Sequence, residues 1–71
     1  MIKVDCLGYN CPIPVIMLKE KHSYIMEGKK ILLVTDHSLA LQNIEYYCNI
    51  NNFKYKTEEV LKGIWEISIS K

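Results

Sequence analysis

Hydrophobic and polar positions alternate along the chain with two different periods. Ile2, Val4 and Cys6 alternate with Lys3 and Asp5, the period-two pattern of a half-buried strand. Gly8 to Cys11 then reads as a turn. From Pro14 to about Met26 the period becomes helical. At about 100° per residue, Val15, Leu18, His22, Ile25 and Met26 share one face, while Glu20, Ser23 and Tyr24 point away. Glu27 and Gly28 close that helix with a glycine stop. Ile31 to Val34 is a continuous apolar run, the mark of a central strand covered on at least one face. Ser38 fits the N-cap of a second helix reaching about Cys48, with Ala40, Leu41, Ile44, Tyr47 and Cys48 as its apolar face. Asn49, Asn51 and Asn52 suit its termination. Phe53 to Leu61 and Ile64 to Ser70 are strands on either side of a Lys62–Gly63 hairpin turn, and in the second of them Trp65, Ile67 and Ile69 alternate with Glu66, Ser68 and Ser70.

The order is β-α-β-α-β-β. It predicts an α/β (α+β) two-layer sandwich, a four-stranded mixed sheet with two helices on one face, forming a single domain over residues 1–71. The first βαβ unit is expected to be a right-handed crossover between parallel strands. The C-terminal ends of the first two strands then share one edge of the sheet. The loop carrying Cys11 and the loop carrying Asp36, His37 and Ser38 become neighbours there. Both helix N-termini face that edge, which predicts a positive potential from unpaired N–H groups.

Composition narrows the function classes. Nine lysines, no arginine and eight acids leave a net charge of +1, without the clustered basic surface that tight nucleic-acid binding needs. The longest apolar runs are too short to span a bilayer, and no charged start followed by an apolar stretch marks a secretory signal. A small secreted scaffold normally carries an even number of cysteines, whereas three are present here. A reducing cytoplasm is therefore expected, where a cysteine is either packed or chemically used.

The stretch DCLGYNCPIP, Asp5 to Pro14, holds two of the three cysteines and both prolines. Proline is tolerated in a first helical turn, where the N–H it lacks has no partner in any case. Pro14 disfavours the helical region for Ile13, so the regular helix is expected to begin at Pro14. Cys11 then stands just before a helix N-terminus. A thiolate is an anion and a nucleophile, and such a terminus favours anions. The proline-flanked turn limits how far the sulfur can wander. The alternative is a small apolar filler in a turn.

DCLGYNCPIPVIMLKE resembles the signature of the TusA/SirA sulfur-carrier family, Asp-x-x-Gly-x-x-Cys-Pro-x-Pro. Asp5, Gly8, Cys11, Pro12 and Pro14 match every fixed position. The resemblance extends over nearly the whole chain: its length, the element order, the Gly28 turn, and VTDHSLALQNI, where the family has an acidic strand end leading into the second helix. It implies that Cys11 takes a sulfane sulfur from a donor, a cysteine desulfurase or rhodanese-like protein, and holds it as a persulfide without a resident cofactor. The sulfur then passes to an acceptor sulfurtransferase or biosynthetic enzyme. Family members serve tRNA thiolation, sulfur oxidation, cofactor assembly, thiosulfate use or selenium metabolism. A persulfide is a reversible cap on a thiolate, so this chemistry agrees with the reading of the residues themselves. Asn10 and Ile13 depart from members that carry a basic residue before the cysteine and Glu between the prolines. Both positions lie where a partner would read the loop.

Around this motif, Asp5 is expected to be structural, accepting turn N–H bonds. Gly8 is expected to supply either a positive φ or a close backbone approach. Cys6 shares a strand face with Ile2 and Val4 and Cys48 lies on the apolar face of the second helix, so both read as core. A Cys6–Cys11 pair still leaves a dithiol redox protein as a rival function, and the β-α-β-α-β-β sandwich leaves a small RNA-binding module as another. No zinc-ligand spacing is present and no metal is expected. His37 either tunes Cys11 or is a solvated loop residue, and His22 reads as a packed or edge histidine. Ile16 and Met17 are either boundary residues or an apolar docking patch beside Cys11. The expected protein is a monomeric sulfur carrier with little activity alone.

Overall fold

The computed structural model describes residues 1–71. Its elements are β1 (Ile2–Asp5), α1 (Ile13–Lys19), α2 (His22–Met26), β2 (Ile31–Thr35), α3 (Ser38–Ile50), β3 (Lys54–Leu61) and β4 (Ile64–Ser70). The four strands form one mixed sheet in the order β1-β2-β4-β3. β1 pairs in parallel with β2, from Ile2 opposite Ile31 to Asp5 opposite Val34. β4 lies antiparallel to both β2 and β3. The helices pack on one side of the sheet, as the alternation predicts. Val4, Ile31, Leu33, Ile67 and Ile69 are buried beneath Leu18, Ile25, Ile44 and Cys48. The opposite pleat presents Lys3, Asp5, Lys54, Lys56, Glu58 and Ser68 as exposed positions. Cys6 extends the ladder past the end of β1, its N–H donating to the Val34 carbonyl at 2.8 Å, and its side chain is fully buried.

Three expectations need correction. The long helix expected from Pro14 to Met26 is two short ones. Lys21, at φ −101° and ψ 6°, breaks it. There the bonds shorten to an i→i−3 spacing, Lys21 N–H to the Leu18 carbonyl at 2.9 Å and Tyr24 N–H to the Lys21 carbonyl at 3.1 Å. The tighter turn keeps both Leu18 and Ile25 in the core but swings Met26 out, leaving it 48% exposed. It also brings His22 against the Phe53 ring, with centroids 5.2 Å apart, and its Nδ1 to 2.6 Å from the Tyr47 hydroxyl. Secondly, α1 starts at Ile13 and not at Pro14. The Ile13 N–H closes a turn onto the Asn10 carbonyl at 3.0 Å, which holds Ile13 helical despite the proline after it. Thirdly, the N-cap of α3 is His37 and not Ser38. β2 runs one residue further, to Thr35. His37 then takes the extended cap geometry, φ −119° and ψ 115°, and its Nδ1 accepts the Ala40 N–H at 3.3 Å.

Leu18 is the apolar anchor that α1 sends into the core. Leu18→Ala is expected to lower the unfolding free energy by about 2–5 kcal/mol, read as a shift in urea midpoint at unchanged slope.

Candidate functional site

The parallel pairing of β1 and β2 carries both following loops off the same edge of the sheet. The β1–α1 loop is shaped from within by Asp5, whose Oδ1 accepts the Leu7 N–H at 3.0 Å. This is the structural role expected of it. Gly8 follows at φ +81°, and a Cβ built there would meet nothing within 4 Å. The glycine therefore serves the backbone conformation and not a close approach. Its N–H lies 3.2 and 3.3 Å from the two carboxylate oxygens of Asp36, in the β2–α3 loop. One acidic side chain thus clasps the two loops together.

Beyond that clasp the chain turns through Asn10, Cys11 and Pro12 into α1, with the Cys11–Pro12 peptide cis. Cys11 is partly exposed at the head of α1. The positive helix end expected beside it is thin. Of the first helical positions, Pro14 has no N–H and that of Ile13 is spent on Asn10, which leaves Val15. The donor that reaches the sulfur comes from another element. Asn43 of α3 places its Nδ2 2.6 Å from Cys11 Sγ. Cys11, Pro12, Val15, Asn43, Tyr46 and Ile50 line an open groove of about 240 Å³ between α1 and α3. Tyr47 forms part of its wall, with Lys19 Nζ 5.9 Å from the ring centroid.

The other two cysteines are set apart by burial. Cys6 and Cys48 are fully buried, and all three cysteines are free. Burial, helped by the charge of Asp5, pushes the Cys6 thiol up from 9.0 to about 11. Burial, helped by Glu45, does the same for Cys48, to about 11. The Tyr47 hydroxyl is also raised, chiefly by burial and then by Cys48. Cys6 Sγ faces Met17 Sδ at 3.8 Å, inside the core.

Of the remaining candidates, Pro12 flanks Cys11 and Pro14 is buried beneath the first turn of α1. Asn10 is exposed, and Ile13 and Ile16 are 41% and 47% exposed. Of the two alternatives for Met17, the structure favours the boundary residue over the docking patch, because it packs against the core. His37 uses Nδ1 to cap α3 and makes no hydrogen bond to Cys11. Sequence reasoning missed Asp36 as the loop clasp and Asn43 altogether. A signal for Asn43 existed: at about 100° per residue it borders the inward stripe of α3 beside Tyr47, a polar residue at the edge of an apolar face.

Comparisons with known proteins place the chain in a family. The family model described as Sulfurtransferase TusA matches residues 2–71. The chain belongs to the TusA/SirA-like family. A protein of Methanocaldococcus jannaschii named "Putative sulfur carrier protein" is 31% identical over 71 residues, covering 100% of this chain and 95% of its own. The crystal structure of a SirA-like protein from Desulfitobacterium hafniense superposes with a TM-score of 0.88 at 30% identity, over 97% of this chain and 95% of that one. No helix is long and apolar enough to cross a membrane.

Iodoacetamide at about pH 8, where an ordinary thiol is partly ionised, is expected to label Cys11 alone in the native protein and all three cysteines after denaturation. The buried thiols also give stability a pH dependence. The folded state holds their protons more tightly than the unfolded state does. Their contribution is therefore present below pH 9.0 and falls as pH rises from there through about 11, which urea unfolding across that range measures.

Proposed function

We propose that this protein is a sulfur carrier in which Cys11 accepts a sulfane sulfur, holds it as a persulfide and passes it on. The observation that carries this reading is the position of Cys11. Alone among the three cysteines it opens to solvent, on a clasped loop at the head of α1, with a side-chain N–H donor on its sulfur. Membership of the family and the sulfur-carrier name of the Methanocaldococcus jannaschii relative support it. In loading, the Cys11 thiolate attacks the outer sulfur of a donor persulfide. A new Sγ–S bond forms, the donor's S–S bond breaks, and the donor departs as a thiolate while the proton stays on the transferred sulfur.

The donor is a cysteine desulfurase or rhodanese-like protein, and the acceptor a sulfurtransferase or biosynthetic enzyme. The relay it serves is one of those of its family, such as tRNA thiolation, cofactor assembly, or thiosulfate or selenium metabolism. Asn10, Ile13 and Ile16, exposed around Cys11, are the residues such partners meet first. The carrier acts as a cytoplasmic monomer without a resident cofactor, and without membrane or strong nucleic-acid binding. The groove is open and does not enclose a substrate, so activity without a partner is expected to be small.

Incubation with a cysteine desulfurase and cysteine tests the reading by intact-mass measurement. Wild type, Cys6→Ala and Cys48→Ala are expected to gain the mass of a sulfur atom, and Cys11→Ser is not. Equal loading of Cys11→Ser contradicts it, as does a loss of two hydrogens in place of a gained sulfur, the signature of a Cys6–Cys11 disulfide.

A further inference from the structure

Resting on the carrier reading, we propose that Asn43 is a catalytic residue for sulfur hand-off: its side-chain amide stabilises the negative charge that returns to Cys11 Sγ as the terminal sulfur leaves. Three observations carry this. Asn43 Nδ2 points at the sulfur that reacts, 2.6 Å away. The residue sits at the wall of the groove that opens onto that sulfur, beside Val15, Tyr46 and Ile50, on the path an acceptor takes to reach it. Its carrier, α3, spans thirteen residues and is fixed to the core through Ala40, Ile44, Tyr47 and Cys48, so the backbone that bears the donor is set before the reaction starts.

The chemistry explains why a donor belongs on this atom. In hand-off, an acceptor thiolate attacks the terminal sulfur of Cys11–Sγ–SH. A bond forms between the acceptor sulfur and the terminal sulfur, and the Sγ–S bond breaks. Its electron pair goes to Sγ, the proton travels with the transferred sulfur, and Cys11 is left as a thiolate. Charge therefore arrives on Sγ in the transition state, where a preorganised N–H counts most. In the loaded state Sγ is a neutral bridging sulfur and a poor acceptor, so the same bond does little for the ground state. The thin start of α1 makes this donor necessary: with Pro14 lacking an N–H and Ile13 bonded to Asn10, little from that helix can serve the leaving sulfur.

The protein loaded on Cys11 and mixed with dithiothreitol as acceptor tests the proposal. A bond to a charged acceptor is worth about tenfold or more, and roughly half of that is expressed at the transition state of thiol exchange. Asn43→Leu, similar in size but without a donor, is expected to release its sulfur about three- to tenfold more slowly than wild type. An unchanged release rate in folded Asn43→Leu, while Cys11→Ser still fails to load, overturns the role of Asn43 and leaves the carrier reading standing. Loading of Cys11→Ser at the wild-type level overturns both. A direct measurement on the wild-type protein needs no variant to fold. The side-chain amide resonances of Asn43 are expected to shift between the free and loaded forms, while those of Asn49, Asn51 and Asn52 stay in place. Stationary Asn43 resonances overturn the proposal.

Discussion

The carboxylate of Asp36 reaching the backbone N–H of Gly8 is the interaction on which the site depends. β1 and β2 run parallel, so their following loops emerge side by side, and proximity alone would leave two independent loops. Asp36 joins them. Gly8 accepts the left-handed conformation that turns its N–H toward Asp36, and Asp5 tightens the same turn from its other end. The loop then delivers Cys11 to α3, so that a residue 32 positions away in sequence can touch its sulfur. Each contact is modest alone. Together they fix a nucleophile at the edge of a small domain that has no enclosed pocket to hold it.

The same architecture separates three chemically equal side chains. Cys6 continues the β1 ladder into the core and Cys48 lies on the buried face of α3, and burial both hides the two thiols and raises them to about 11. Cys11 differs by position only. It leaves the sheet one turn after the clasp, at the mouth of the α1–α3 groove. A carrier needs one sulfur that a partner can reach and no second sulfur able to capture the cargo, and the distribution of burial meets both needs.

Much of this was legible in the sequence because it is carried by periodicity and local chemistry. The two-residue alternation of β1 and β4 and the apolar run of β2 identify the sheet, and the parallel crossover follows from the order of elements. Asp5 acts two residues from itself, on the Leu7 N–H, and its role was readable for that reason, whereas the bond from Gly8 to Asp36 spans 28 positions and was not. The break at Lys21 was not, because Val15, Leu18, His22, Ile25 and Met26 fit one continuous helix by period, and the break answers to packing of His22 against Tyr47 and Phe53. Ser38 is a good capping residue by type, but the cap moved to His37 because β2 gained Thr35. Asn43 escaped because its meaning lies in a sulfur reached only through the tertiary fold.

The central claim is that the mobile sulfur resides on Cys11. Its most direct test is fragmentation mass spectrometry of the protein isolated from its own cells and alkylated at once, reading the tryptic peptide from Val4 to Lys19. That peptide contains both Cys6 and Cys11, and the fragments between them assign each modification. The expected result is an additional sulfur confined to Cys11, with Cys6 carrying none. An additional sulfur on Cys6, or a bond between the two cysteines, contradicts the claim.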